Sequence, residues 1–84
     1  MLVSQIKFND VVIVEINKYS NSFACTINKA NFKPLLPEGR VFSSLPPFKT
    51  DKIISLKLAT LSSLLWLKQN SKQPIEAFQV IDCL

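Results

Sequence analysis

Two runs of β-branched and aromatic residues open the chain, Leu2 to Phe8 and Val11 to Lys18, and Asn9-Asp10 between them is composed as a tight turn, so the pair predicts a hairpin. In the second run Val12, Val14 and Ile16 share one face while Val11, Ile13 and Glu15 share the other. Apolar side chains on both faces predict an interior position in the sheet. Turn formers follow at Tyr19 to Ser22, after which Phe23, Cys25 and Ile27 alternate with Ala24, Thr26 and Asn28 as a third strand.

The period changes from two to that of a helix over residues 51–69. At about 100° per residue, Ile53, Ile54, Leu56, Leu58, Leu61, Leu64, Leu65 and Leu67 fall within roughly 200° of arc, interrupted by Lys57, Thr60 and Lys68. Ser55, Ser62, Ser63 and Gln69 lie opposite, and Trp66 stands among them. Thr50 is placed to cap the start, Asp51 to meet the positive end of the helix dipole and Lys68 to meet the negative end. These signals predict one helix over about 51–69 with its leucines and isoleucines turned to the core. The arc is wider than one packing face requires. Trp66, off that face, either folds over the adjoining sheet or contacts a partner, a role in which tryptophan is enriched. A rival parsing makes Ile54, Leu56 and Leu58 a strand and lets Thr60 cap a shorter helix.

Between strand three and the helix the composition shifts, because four of the five prolines, the only glycine and the only arginine fall in residues 29–50. Pro37-Glu38-Gly39 reads as a turn, Arg40 to Ser44 as a short edge strand, and Pro46-Pro47 as an extended lead into the helix. A loop of this length with few glycines is expected to be ordered and used. Asn70 to Pro74 ends the helix, and Ile75 to Asp82 reads as a last strand that packs under it and pairs with strand one or two. The fold class is therefore α+β: an antiparallel meander of about three to five strands against one main helix, in the order β-β-β-(short β)-α-β, as a single domain over residues 1–84.

Composition sharpens this picture. Hydrophobic residues make up 48% of the 84 and charged ones 19%, so the chain folds rather than staying disordered and has apolar surface to spare. Self-association as a two-fold homodimer is the expected outlet for that surplus. No apolar run approaches the roughly 20 residues that span a bilayer, and the first residues lack a signal peptide's basic start and apolar run, so the expectation is a cytoplasmic protein with no membrane partner. Cys25 and Cys83, far apart and outside any C-x-x-C pair, are expected to be buried, reduced thiols, with a disulfide between them as the alternative if the chain is exported.

The chemistry is largely that of exclusion. With no histidine, the chain lacks the commonest general base and the commonest metal ligand, and its two cysteines cannot complete a zinc site. Asp10, Glu15, Glu38, Asp51, Glu76 and Asp82 are scattered, and one glycine builds no phosphate-cradling loop. No enzyme, no metal and no cofactor is expected.

One arrangement carries recognition chemistry. Lys29, Lys33, Arg40 and Lys49 are interleaved with Phe32, Phe42 and Phe48, and four cations against Glu38 leave residues 29–49 at +3 of the chain's net +4. The leading expectation is a non-catalytic protein-binding module, a regulator or inhibitor of the kind mobile elements use against a larger complex. It would present Trp66, Phe42, Phe48 and Arg40 to its partner. The alternative is a single-stranded nucleic-acid binder using Lys29, Lys33, Arg40 and Lys49 for phosphates with Phe32 among the stacking rings. Four phosphate contacts would give a salt slope of only about −3 to −4.

Overall fold

The computed structural model of the chain describes residues 1–48 and 52–83. Strands β1 (Leu2–Phe8), β2 (Val11–Tyr19) and β3 (Ser22–Ile27) form the meander, and β4 (Phe78–Asp82) returns to pair with β1, giving an antiparallel sheet in the order β3-β2-β1-β4. Asn9 and Asp10 both take positive φ, 50° and 64°, the conformation that a two-residue hairpin turn of matching twist demands and that asparagine and aspartate tolerate.

β2 is interior, as its two apolar faces predict, but the reason differs. Register shifts in the β1–β2 ladder fall at Val3 and at Ile13, and there consecutive residues, Val3 with Ser4 and Ile13 with Val14, are both buried. An extra residue in a strand re-aims its side chain. The surplus of apolar residues therefore feeds one core. On the outer surface Gln5 reaches across to the Glu15 carboxylate (3.4 Å).

The main helix, α2 (Leu56–Ser71), begins later than the hydrophobic pattern implies. Ile53 exchanges backbone hydrogen bonds with Phe23 (2.8 and 3.1 Å), extending the β3 edge by one bridge, and Lys52 sits at φ 58°. A residue held in that bridge cannot be helical, so the cap passes to Ser55, whose Oγ accepts from the Leu58 N–H at 3.1 Å. Thr60, the cap in the rival parsing, lies inside the helix and bonds back to the Leu56 carbonyl. Thr50 and Asp51, read as cap and dipole partner, lie outside the described residues.

The inward face of α2 is rotated from the expected one: Leu67 is buried, and Ile53, Leu56 and Leu64 pack against the core as expected, but the rest of the leucine side turns outward. Ala59, Ser63, Trp66, Leu67 and Asn70 are buried, whereas Leu58, Leu61 and Leu65 are 48%, 53% and 50% exposed. Small side chains at Ala59 and Ser63 let the helix backbone approach β3 closely enough for the Cys25 thiol to reach the Ala59 carbonyl (3.7 Å). A leucine ridge would hold the helix farther off. α2 lies across β3 and β2 and meets β4 through the 3-10 turn Ile75–Ala77, so the last strand starts at Phe78.

Residues 29–48 are more regular than a loop. A short helix α1 (Lys29–Phe32) and a 3-10 turn over Lys33–Leu35 lead into it. Where an edge strand was expected at Arg40 to Ser44, Phe42–Ser44 form a 3-10 turn closed by the Ser44 hydroxyl on the Val41 carbonyl (2.7 Å). No helix among the described residues is long and apolar enough to cross a membrane.

Ser63 is the one buried side chain among the described residues whose oxygen finds no hydrogen-bond partner. Its natural acceptor one turn back, the Ala59 carbonyl, already receives the Cys25 thiol. Removing an unsatisfied buried hydroxyl and gaining alanine's helix propensity should stabilise the fold, so Ser63→Ala is expected to raise the urea midpoint by the equivalent of about 1 kcal/mol. A lowered midpoint would mean the hydroxyl has a partner.

Candidate functional site

The site is assembled from the β2 irregularity outward. The Ile13 carbonyl accepts the Asn28 N–H (2.8 Å) and the Val12 carbonyl accepts the Asn31 side-chain amide (2.8 Å), which ties α1 to the shifted part of β2. Asn28 also caps α1 by accepting the Asn31 N–H (3.0 Å). Phe32 consequently points inward and is fully buried, while Lys29 and Lys33, one helical turn apart, share the outer side.

The chain then returns through Pro37 to Arg40, closed by the Arg40 N–H on the Pro37 carbonyl (3.0 Å). Gly39 stands at φ 78° in the position where a type II turn needs a residue without Cβ. This turn swings Arg40 back toward α1. Lys29, Lys33 and Arg40 thereby line one cleft of about 460 Å³, walled by Ala30, Leu36 and Val41 and closed at one side by Phe42. Among the described residues no carboxylate is in its lining. A second hollow of about 380 Å³, on the other flank of α1, is lined by Asn9 and Asn31 among apolar residues, with no charged side chain among the described residues of its lining.

Beneath the cleft lies an aromatic cluster centred on Trp66. Its ring lies 5.3 Å from Phe32, 6.0 Å from Phe42 and 5.2 Å from Phe48, and its indole N–H donates to the Pro46 carbonyl at 3.1 Å. Phe42 packs on this cluster and also meets Phe32 edge-on at 6.0 Å, while the Lys29 ammonium stands over its ring at 5.0 Å. Such spacings are those of favourable aromatic and cation–π contacts.

Compared with known proteins, the chain matches no family model, and no curated protein and no solved structure is significantly similar to it.

Of the residues singled out in the sequence, Lys29, Lys33, Arg40 and Phe42 come together at the cleft. Phe32 lies under it in the core. Trp66, at 9% exposure, belongs to the interior, and Phe48 lies half-buried against it. The partner-facing role read for Trp66 is therefore corrected: the proline-rich segment supplies the rings and the carbonyl that enclose it. Lys49 is outside the described residues. Sequence reasoning passed over Val41 and Leu36, whose signal is only their place beside the two turns.

The cysteines separate by burial. Both are free, but only Cys25 is buried; Cys83, expected to be buried as well, is exposed just beyond the end of β4. Desolvation pushes the Cys25 thiol above its ordinary value; the Ser63 hydroxyl beside it, unbonded while the thiol is neutral, offsets that only in part because it can turn to the thiolate. A raised thiol pKa means the folded state favours the neutral form. Its contribution is whole below the ordinary thiol value of about 8.5 and disappears as pH rises through the raised value. The wild type is expected to lose stability more steeply above about pH 8.5 than Cys25→Ala does, as read from urea midpoints across pH. Parallel slopes would show that the thiol is not shielded.

Proposed function

We infer that this chain is a non-catalytic binding module that recognises another protein by gripping an acidic segment in the basic cleft, and that it regulates or inhibits a larger assembly by occupying that segment. One observation carries the reading: three cations from two separate turns converge on a single apolar-walled cleft whose lining, among the described residues, holds no carboxylate. Cations set beside apolar walls suit a glutamate- or aspartate-rich segment with an aliphatic or aromatic anchor, since the charges steer and orient while the anchor leaves water.

The same cations also favour nucleic acid, but the stacking platform is poorly placed for it. Phe42 is covered by Lys29 and packed on Phe32 and Trp66, and Phe32 is wholly buried. Base stacking contributes much of single-strand affinity and needs an open ring face.

The test is a titration of a fluorescent glutamate-rich peptide bearing one leucine, alongside an oligothymidine, against the wild type and Lys33→Glu/Arg40→Glu. Peptide binding that the double variant loses is expected. Tighter binding of the oligonucleotide, or a variant that binds the peptide as well as the wild type, overturns the reading.

A further inference from the structure

The described surface keeps one feature the cleft does not use. Leu58, Leu61 and Leu65, spaced three and four apart, form a ridge along the side of α2 opposite the sheet, and Ile54, two residues before the helix, is exposed as well. On a wheel of about 100° per residue, Lys57 and Lys68 fall together along one edge of this ridge, and Ser62 along the other. All three are exposed. α2 carries no acidic residue, and neither lysine has an ion-pair partner among the described residues.

We propose that this ridge is a second docking surface and that it takes an acidic amphipathic helix of a partner protein. Three leucines at this spacing form half of a two-helix seam, into which the leucines of a facing helix interdigitate. The lysine edge then selects the partner's charge. Lys57 and Lys68 are eleven residues apart, about 16 Å along the axis, so they match carboxylates about three turns apart on one flank of the incoming helix. A second copy fits less well. An antiparallel two-fold pairing centred between Leu61 and Leu65 lays each lysine edge against the other, with Lys57 of one copy beside Lys68 of its partner. A bilayer surface also fits less well, because membrane-lying helices carry cations on both sides of their apolar face, whereas here the second side is bordered by Ser62.

The experiment uses the full chain with a leucine-heptad peptide of about three heptads carrying glutamates on one flank, and a twin peptide with lysines in their place. The glutamate peptide is expected to bind, with Leu61→Asp weakening it about tenfold or more, the scale of losing one interface anchor. Lys57→Glu/Lys68→Glu should reject the glutamate peptide and accept the lysine twin. Leu61 is exposed, so these variants keep the fold. Circular dichroism and unchanged binding of the cleft's own peptide check this, and Leu61→Gln serves as a milder second variant. Failure of the glutamate peptide to bind at about 100 µM overturns the proposal, as does equal binding of both peptides. So does a dimer in sedimentation velocity that Leu61→Asp dissociates, or co-flotation with phosphatidylserine vesicles that Leu61→Asp abolishes. The cleft reading stands or falls separately, since none of these substitutions lines it.

Discussion

Trp66→Ala is expected to destabilise the chain by about 3–5 kcal/mol, the cost of deleting a large buried ring and leaving part of its volume empty. The ring is 9% exposed and is the meeting point of Phe32, Phe42 and Phe48. Losing it removes transfer free energy and leaves three aromatic neighbours facing a void. The Pro46 carbonyl also loses its donor, but Pro46 is exposed and water replaces the indole N–H there at little cost. A chain of 84 residues has little stability to lose, since small domains bury a smaller share of their surface and total stabilities run at about 5–15 kcal/mol. A large fraction of the variant should therefore be unfolded at physiological temperature, measurable as a collapsed urea midpoint. Trp66→Phe, which keeps a ring and loses the N–H, should retain most of the stability. A Trp66→Ala midpoint within the equivalent of about 1 kcal/mol of wild type would show that the ring does not sit at the centre of the packing.

Lys33→Glu/Arg40→Glu is expected to leave the fold intact and to weaken the acidic peptide roughly thirty-fold at low salt. Both side chains are exposed, and surface substitutions of this kind usually move stability by less than about 0.5 kcal/mol. For binding, an exposed ion pair is worth about 0.5 kcal/mol, and reversing its sign loses that amount twice, so two reversals amount to about 2 kcal/mol, near thirty-fold. The difference should shrink toward unity at about 1 M salt, where the screening length falls to about 3 Å. A thirty-fold loss that survives high salt would mean that the substitutions distort the cleft instead of changing its charge. Glu38 provides a control: it lies in the same turn, lines a neighbouring hollow with Arg40 but not the cleft, and Glu38→Gln should leave peptide affinity nearly unchanged.

The first half of the chain was legible because its information is local. Asn9 and Asp10 tolerate the positive φ of a hairpin turn, strand alternation follows from the pleat, and β1 to β3 therefore appear close to their expected limits. The basic character of residues 29–49 was equally plain, because charge is countable. Whether those cations meet was not, since it depends on the Gly39 turn folding Arg40 back onto α1 and on the two asparagines that fasten α1 to the shifted register of β2.

The helix shows the boundary between the two kinds of information most clearly. By itself the sequence determined that a helix follows the proline-rich segment and that it has more apolar surface than one face can use. It could not decide which face turns inward, because the leucine side and the Ala59, Ser63 and Trp66 side are each able to pack. Tertiary structure decided it: Phe32, Phe42 and Phe48, distant in sequence, close around Trp66, and the small residues beside it allow the close approach to β3 that leucines would prevent. The start of the helix was settled in the same way, by the Ile53 bridge to Phe23, since backbone hydrogen bonds to a strand edge outweigh the few tenths of a kcal/mol per residue that helix propensity supplies.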